Sequence, residues 1–203
     1  MTLLMKRYAF QILTLCLSLL VVFHQAHSSD ANDSNENEAV LWEGLSSGKY
    51  AALLRHAIAP GFGDPSYFKV DDCKTQRNLS AEGRAQARAI GERLRQNGIL
   101  VAEVFSSQWC RCLETASLLD LGTVNELPML NSFFQSMEKR DQQTQDLRDW
   151  LRQRTANKPT VLVTHQVNIS ALTGSYASSG EMIIIELGHE SGFPVVGTLE
   201  TSL

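Results

Sequence analysis

The chain has little positive charge to spare. Lysine and arginine number 18 against 22 aspartates and glutamates, a net charge of −4 with histidine neutral. A surface of that sign does not recruit nucleic acid by bulk electrostatics, so any anion it binds must be held by a local cluster. Cysteine is scarce as well, with four residues in 203. No internal repeat is present, so the chain does not read as a stack of identical units.

The first 28 residues are unlike a globular domain. Lys6 and Arg7 precede the apolar run "YAFQILTLCLSLLVVF", which leads to Ala26-His27-Ser28, a small-x-small pattern. Basic, apolar and small residues in that order predict a secretory signal peptide over 1–28. The alternative is an uncleaved anchor, but the run is shorter than the roughly 20 residues a spanning helix needs. Leu15 before Cys16 is too bulky for the usual lipoprotein cleavage pattern. An exported protein, periplasmic or secreted, with no stable membrane insertion after cleavage, is the expectation. Cleavage leaves 16 basic against 22 acidic residues, a net charge of about −6. Residues 29–38, within "SSDANDSNENE", offer nothing to bury and predict a disordered acidic linker. Residues 39–203 then form one domain, being too few for two comfortable cores. Three cysteines survive cleavage, so one disulfide and one free thiol is the simplest reading in an oxidising compartment. A metal site is the second reading, with poor zinc-ligand spacing.

Two stretches carry the chemistry. "YAALLRH" runs without alternation from Tyr50 and ends in Arg55-His56, and "PTVLVTH" does the same before His165. Apolar strands without alternation are buried on both faces. Between them, Ser80 caps a predicted helix in which Ala87, Ile90 and Leu94 share a face and Gly98 ends it. "AEVFSS" reads as a strand, "QWCRCLETASLLD" as a helix, and "TVNELPML" as strand then loop. "DQQTQDLRDWLRQRT" reads as a helix with Leu147, Trp150 and Leu151 inward, and "VNISALTG" as a short one. "EMIIIELG" and "PVVGTLET" read as a terminal hairpin, and residues 57–79 as an irregular loop. Strands alternating with helices predict an α/β fold, a three-layer α/β/α sandwich with a mostly parallel central sheet. Ligands of such sheets bind beyond the carboxyl ends of the strands. Arg55-His56, Thr164-His165, Ser106-Ser107 and Arg111 converge there.

Two arginines and two histidines on one rim suit a phosphoryl group. Guanidinium forks match phosphate oxygens, and a helix amino end adds donors. One imidazole can attack phosphorus while the other stabilises the equatorial oxygens. "LLRHA", "LSAEGRAQARAIGERL", "FSSQWCRCLETA" and "VTHQ", in that order, resemble the histidine phosphatase superfamily over residues 49 to about 186. That superfamily includes phosphoglycerate mutases and acid phosphatases. The resemblance implies the phosphoglycerate mutase-like fold, no cofactor, no metal and a small phosphorylated substrate. It implies His56 as the nucleophile, Arg55 and Arg111 as the phosphate clamp, and His165 as the second histidine. Arg77 lies in a loop that covers the site in that superfamily.

The chain departs from the pattern in three places. Ala57 replaces the glycine after the histidine. Asn131 stands near the mutase-type glutamate, and Gln166 stands where the acid-phosphatase branch has an aspartate. Both expected proton donors are therefore amides, which bind substrate but supply no proton. Glu181 and Glu138 become candidate donors, or the substrate has a leaving group that needs none, such as an acyl phosphate or phosphohistidine. The resemblance also implies a Cys73–Cys110 disulfide with Cys112 buried, Cys73–Cys112 remaining open. Phe133 and Phe134 either stack on substrate or pack a loop. The chain is similar to exported phosphatases of lipopolysaccharide core heptose in size, leader and missing carboxylate. The expected function is an exported phosphatase of phosphate monoesters. A phosphate-binding module without catalysis is the alternative from another class. A mutase is disfavoured by the missing glutamate and the export. A two-histidine metal hydrolase is disfavoured because His56 and His165 lack His-x-x-x-His spacing and neighbour cations or amides. The oligomeric state is left open.

Overall fold

Six strands build the sheet on which everything else is placed. In the computed structural model, residues 36–154, 157–188 and 192–200 are described. The leader and its cleavage pattern lie outside them. Residues 36–40 are helical, including three positions expected in the polar linker.

From residue 41 onwards the chain is one unit. The strands are β1 (Tyr50–Arg55), β2 (Glu103–Ser106), β3 (Val124–Glu126), β4 (Thr160–Thr164), β5 (Met182–Glu186) and β6 (Val195–Leu199). Their order is β3-β2-β4-β1-β5-β6. The first four are mutually parallel, while β5 and β6 run antiparallel as a hairpin. The helices are α1 (Ala81–Gln96), α2 (Cys110–Leu118), α3 (Arg140–Arg152) and α4 (Gln166–Thr173).

Alternation along the strands sends side chains to two separate cores. Ala52, Leu54, Val161 and Val163 meet Ile90 and Leu94 of α1, Ala116 of α2 and Leu41 and Leu45 of a helical segment at 41–46. Ala51, Leu53 and Leu162 meet Leu147 and Leu151 of α3 and Ile169 of α4. Helices thus cover both faces, which completes the α/β/α sandwich with a mostly parallel sheet. Trp150 packs edge-on against Phe105 at 4.8 Å between centroids.

The helix boundaries have local causes. Ser80 accepts from the Gly83 amide at 3.0 Å and starts α1. Gly174, at φ 77°, ends α4 in the left-handed conformation that glycine adopts without a Cβ penalty. In the sheet Arg55 pairs with Thr164, so β1 and β4 end level. Their next residues, His56 and His165, emerge side by side. This is the physical content of the two abrupt strand endings.

Candidate active site

Four side chains expected at the rim are brought together there. Arg55, His56, Arg111 and His165 line one cavity of about 580 Å³, with Arg77 and Gln166 also in its wall. The two imidazoles stand 5.4 Å apart, edge to face, and both are almost fully buried.

The His56 ring is fixed from behind. Its Nδ1 lies 2.8 Å from the Ala57 carbonyl, an acceptor only, so Nδ1 carries the proton and Nε2 keeps its lone pair. Arg111 Nε donates to that Nε2 at 3.3 Å. Burial, and next the Arg111 charge, push the His56 pKa down to about 3. At neutral pH the ring is an unprotonated base. The methyl of Ala57, the residue in place of the expected glycine, packs with Leu79 and Ala87 and is no part of the cavity wall. Its amide is held by Thr115 Oγ1, which donates in turn to the Arg111 carbonyl.

His165 Nε2 lies 2.8 Å from Ser107 Oγ, and that hydroxyl reaches Asn131 Oδ1 at 3.2 Å. Its Nδ1 faces Arg111 Nη2 at 3.4 Å. Burial, then the Arg111 charge, hold this imidazole well below its usual range too. Arg55 donates from Nη1 to the Ala177 carbonyl at 2.9 Å, but its buried Nε has no hydrogen-bond partner among the described residues. A buried guanidinium N–H without an acceptor is costly, and an anion in the cavity would satisfy it.

Several expectations need correction. Asn131 is not in the cavity wall. Its Oδ1 accepts from Ser107 and from the Gln108 amide, and its Nδ2 donates to Gln108 Oε1, so it fastens the start of α2 instead of meeting substrate. Gln166 is in the wall, yet its amide group is engaged with Ser170, Ser175 and Ala177. Neither candidate acid reaches the cavity. Glu181 accepts from the Ser178 amide beside β5, and Glu138 is exposed in a short 3-10 turn (Met137–Lys139). Two amides at the start of α2 are already engaged: that of Trp109 donates to Ser107 Oγ and that of Cys110 to Gln76 Oε1. Phe133 is core, 2% exposed, whereas Phe134 lies at the mouth, edge-on to Phe62 at 5.0 Å.

Cys73 and Cys110 form a disulfide that ties the 57–79 loop to α2, and Cys112 is a buried thiol. Burial pushes that thiol up to about 12, so it stays protonated beneath His165.

Sequence reasoning missed one prominent residue. Asp64, in "PGFGDP", makes a bidentate ion pair with Arg111 at 2.9 and 3.1 Å, with both side chains at most 5% exposed. It also accepts from the Arg77 amide and Trp109 Nε1. Burial pushes its carboxyl up, but these donors, Arg111 first, outweigh that and hold it below the usual range. It is the one carboxylate in the cavity wall among the described residues. The available signal was weak: a single acid between two glycines and two prolines. Arg77 is bound to the same loop through the carbonyls of Gly63 and Ala59, and burial, then the Arg111 charge, lower its pKa.

No set of three or more potential metal ligands occurs among the described residues, and no helix there is long and apolar enough to cross a membrane.

Residues 52–131 match the histidine phosphatase superfamily (branch 1). No curated protein matches the chain by sequence. Among solved structures, the protein histidine phosphatase SixA complexed with tungstate superposes with TM-score 0.53 at 12% identity, over 75% of this chain and 97% of that one. A putative phosphohistidine phosphatase SixA from Agrobacterium tumefaciens gives 0.53 at 16%, over 75% and 99%. A putative α-ribazole-5'-P phosphatase from Escherichia coli K-12 gives 0.54 at 18%, over 72% and 93%. At these identities the likeness shows the fold, which is the histidine phosphatase, phosphoglycerate mutase-like one.

Proposed function

We propose that the protein is an exported phosphohydrolase working through a phosphohistidine on His56. The observation that carries this reading is the His56 ring itself. Its Nδ1 is tied to Ala57, and its neutral Nε2 faces the cavity between two arginines and a second histidine. In the reaction, the Nε2 lone pair forms a bond to phosphorus as the bond to the leaving group breaks. Arg111 and Arg55 balance the equatorial oxygens, and His165 donates to them as charge develops. Water then cleaves the P–N bond and releases phosphate.

The cavity is larger than a phosphate needs, and exposed aromatic rings flank its mouth. Phe62 is 86% and Tyr176 70% exposed, and Lys139 joins them in the wall. Apolar rings beside a cation suit the face of a sugar carrying anionic groups. A phosphosugar of the cell envelope, such as lipopolysaccharide core heptose, fits that mouth and the exported leader.

A second reading has its own observation in favour. Both amides are engaged, Glu138 and Glu181 are outside the cavity, and Asp64 is bound to Arg111. Among the described residues, no unpaired carboxyl group stands in the wall to protonate an alcohol. Substrates whose leaving group departs without a proton, an acyl phosphate or a phosphohistidine, then fit best. Of the structural neighbours, one is named a protein histidine phosphatase and another a putative phosphohistidine phosphatase.

The test is hydrolysis of an activated phenyl phosphate and of a sugar phosphate, with chelator present and His56→Ala as control. Comparable wild-type rates support the monoesterase. Activity on the phenyl ester alone selects the second reading. Phosphate binding with no turnover of either ester, nor of acetyl phosphate, leaves a binding module and defeats both.

A further inference from the structure

A guanidinium offers an oxyanion two edges, the end edge of Nη1 and Nη2 and the side edge of Nε and Nη2. In Arg111 these edges have separate neighbours. Asp64 Oδ1 and Oδ2 take the end edge at 2.9 and 3.1 Å. The side edge is turned to the two imidazoles, with Nε 3.3 Å from His56 Nε2 and Nη2 3.4 Å from His165 Nδ1.

We propose that Asp64 is a positioning residue: by occupying the end edge of Arg111 it turns the side edge toward the space between His56 and His165 and makes that edge the seat of the phosphoryl group. This rests on the phosphohydrolase reading of the cavity and adds to it the residue that orients the clamp.

The carboxylate is itself anchored. Besides Arg111 it accepts from the Arg77 amide at 2.9 Å and from Trp109 Nε1 at 3.0 Å. The Trp109 indole stacks on Phe68 of the same loop at 4.9 Å between centroids. Rotating Asp64 away would break four hydrogen bonds and leave a buried charge unpaired. Without Asp64, the end edge of Arg111 would keep only the Arg77 carbonyl, which Nη1 meets at a longer 3.3 Å and which engages one nitrogen and not both.

Two other roles fit the geometry less well. As a phosphate mimic that substrate displaces, Asp64 would have to lie between the histidines, and it lies on the far edge. As the acid for the leaving group it would need a proton, and four donors keep it a carboxylate. An ion pair on the end edge also explains how the wall can hold a carboxylate without repelling substrate, because its charge is already neutralised by a side chain 3% exposed.

The experiment measures binding of inorganic phosphate to the full chain by calorimetry, with kcat and KM for acetyl phosphate alongside. Asp64→Asn is expected to weaken phosphate about tenfold or more and to lower kcat about 10²-fold, as loss of a buried charge partner and a displaced clamp imply. Gln76→Ala releases other anchors of the same loop, its bonds to the Cys110 amide and to the Lys69 and Val70 carbonyls. That variant should bind phosphate within about threefold of wild type, because the three lost bonds are neutral and none of them touches Arg111. Equal losses in the two variants would overturn the proposal, since Asp64 would then act only by holding the loop. Unchanged or tighter phosphate binding in Asp64→Asn would overturn it too, the latter marking Asp64 as a competing anion. If Asp64→Asn does not fold by circular dichroism, Asp64→Glu keeps the charge and moves it one methylene. It should weaken phosphate severalfold, and wild-type affinity in that variant would overturn the proposal. A wild-type protein that binds phosphate without turning over any ester or acetyl phosphate defeats the hydrolase reading but leaves this test intact. A wild type that binds no phosphate removes the seat and the proposal together.

Discussion

Both imidazoles of the site are aimed by a partner on the side away from the cavity. For His56 that partner is a main-chain carbonyl, which no substitution of a side chain removes. For His165 it is the Ser107 hydroxyl, itself linked to Asn131. When His165 presents an Nδ1–H to a phosphoryl oxygen, its Nε2 must accept, and Ser107 can turn its proton from Asn131 to the ring. Ser107→Ala removes that option. Its kcat should fall about tenfold with KM nearly unchanged, the worth of one hydrogen bond felt in the transition state. His165→Ala should cost about 10²–10³-fold, the usual loss for a donor to developing charge. Steady-state kinetics on acetyl phosphate reads both, and a Ser107→Ala loss as large as that of His165→Ala would contradict the ranking. Asn131 thus belongs to the support of His165. An amide there offers the hydroxyl an acceptor that does not titrate, where a carboxyl would.

Among elements, β1 and β4 were legible in the sequence because a parallel strand covered on both faces must be apolar throughout, and a charge at its end stands out. The capped helix α1 was legible for a similar reason, Ser80 and Gly98 each solving a local backbone problem at its two ends. The loop at 57–79 was not. Its structure depends on partners far along the chain, Asp64 on Arg111 and Gln76 on Cys110, and such pairings leave no periodic trace. The disulfide adds a third tie over a sequence separation of 37. Closing a loop of that size restricts the unfolded chain, so Cys73→Ser with Cys110→Ser should lower stability by about 2–4 kcal/mol. Urea unfolding of oxidised wild type against the double variant measures it. A difference under about 1 kcal/mol would mean that Gln76 and Asp64 already hold the loop and the covalent tie adds little.

For the molecule as a whole, the site sets how stability depends on pH. His56 and His165 are neutral in the fold, burial pushing the first down to about 3 and the second well below its usual range. In the unfolded chain each titrates near 6.5. Below that pH the unfolded chain therefore takes up protons that the fold refuses, so stability falls as pH falls, by about 1.4 kcal/mol per pH unit for each histidine. For His56 this slope persists down to about pH 3. Asp64 acts in the same direction at lower pH. Its folded carboxyl lies below the unfolded value of 3.8, so its contribution is present above 3.8 and is lost as pH falls through the folded value. Above pH 7 none of the three contributes a slope. Urea midpoints should hence drop steeply between pH 6.5 and 4.5, and a variant with His56→Asn and His165→Asn should show a slope shallower by about two protons. A wild-type curve flat across that range would mean that water reaches the imidazoles and the burial argument fails. The same burial keeps Nε2 of His56 unprotonated at mildly acidic pH. Any acid loss of activity above pH 4.5 should then follow the unfolding curve or the substrate's own titration, with no separate step from the nucleophile.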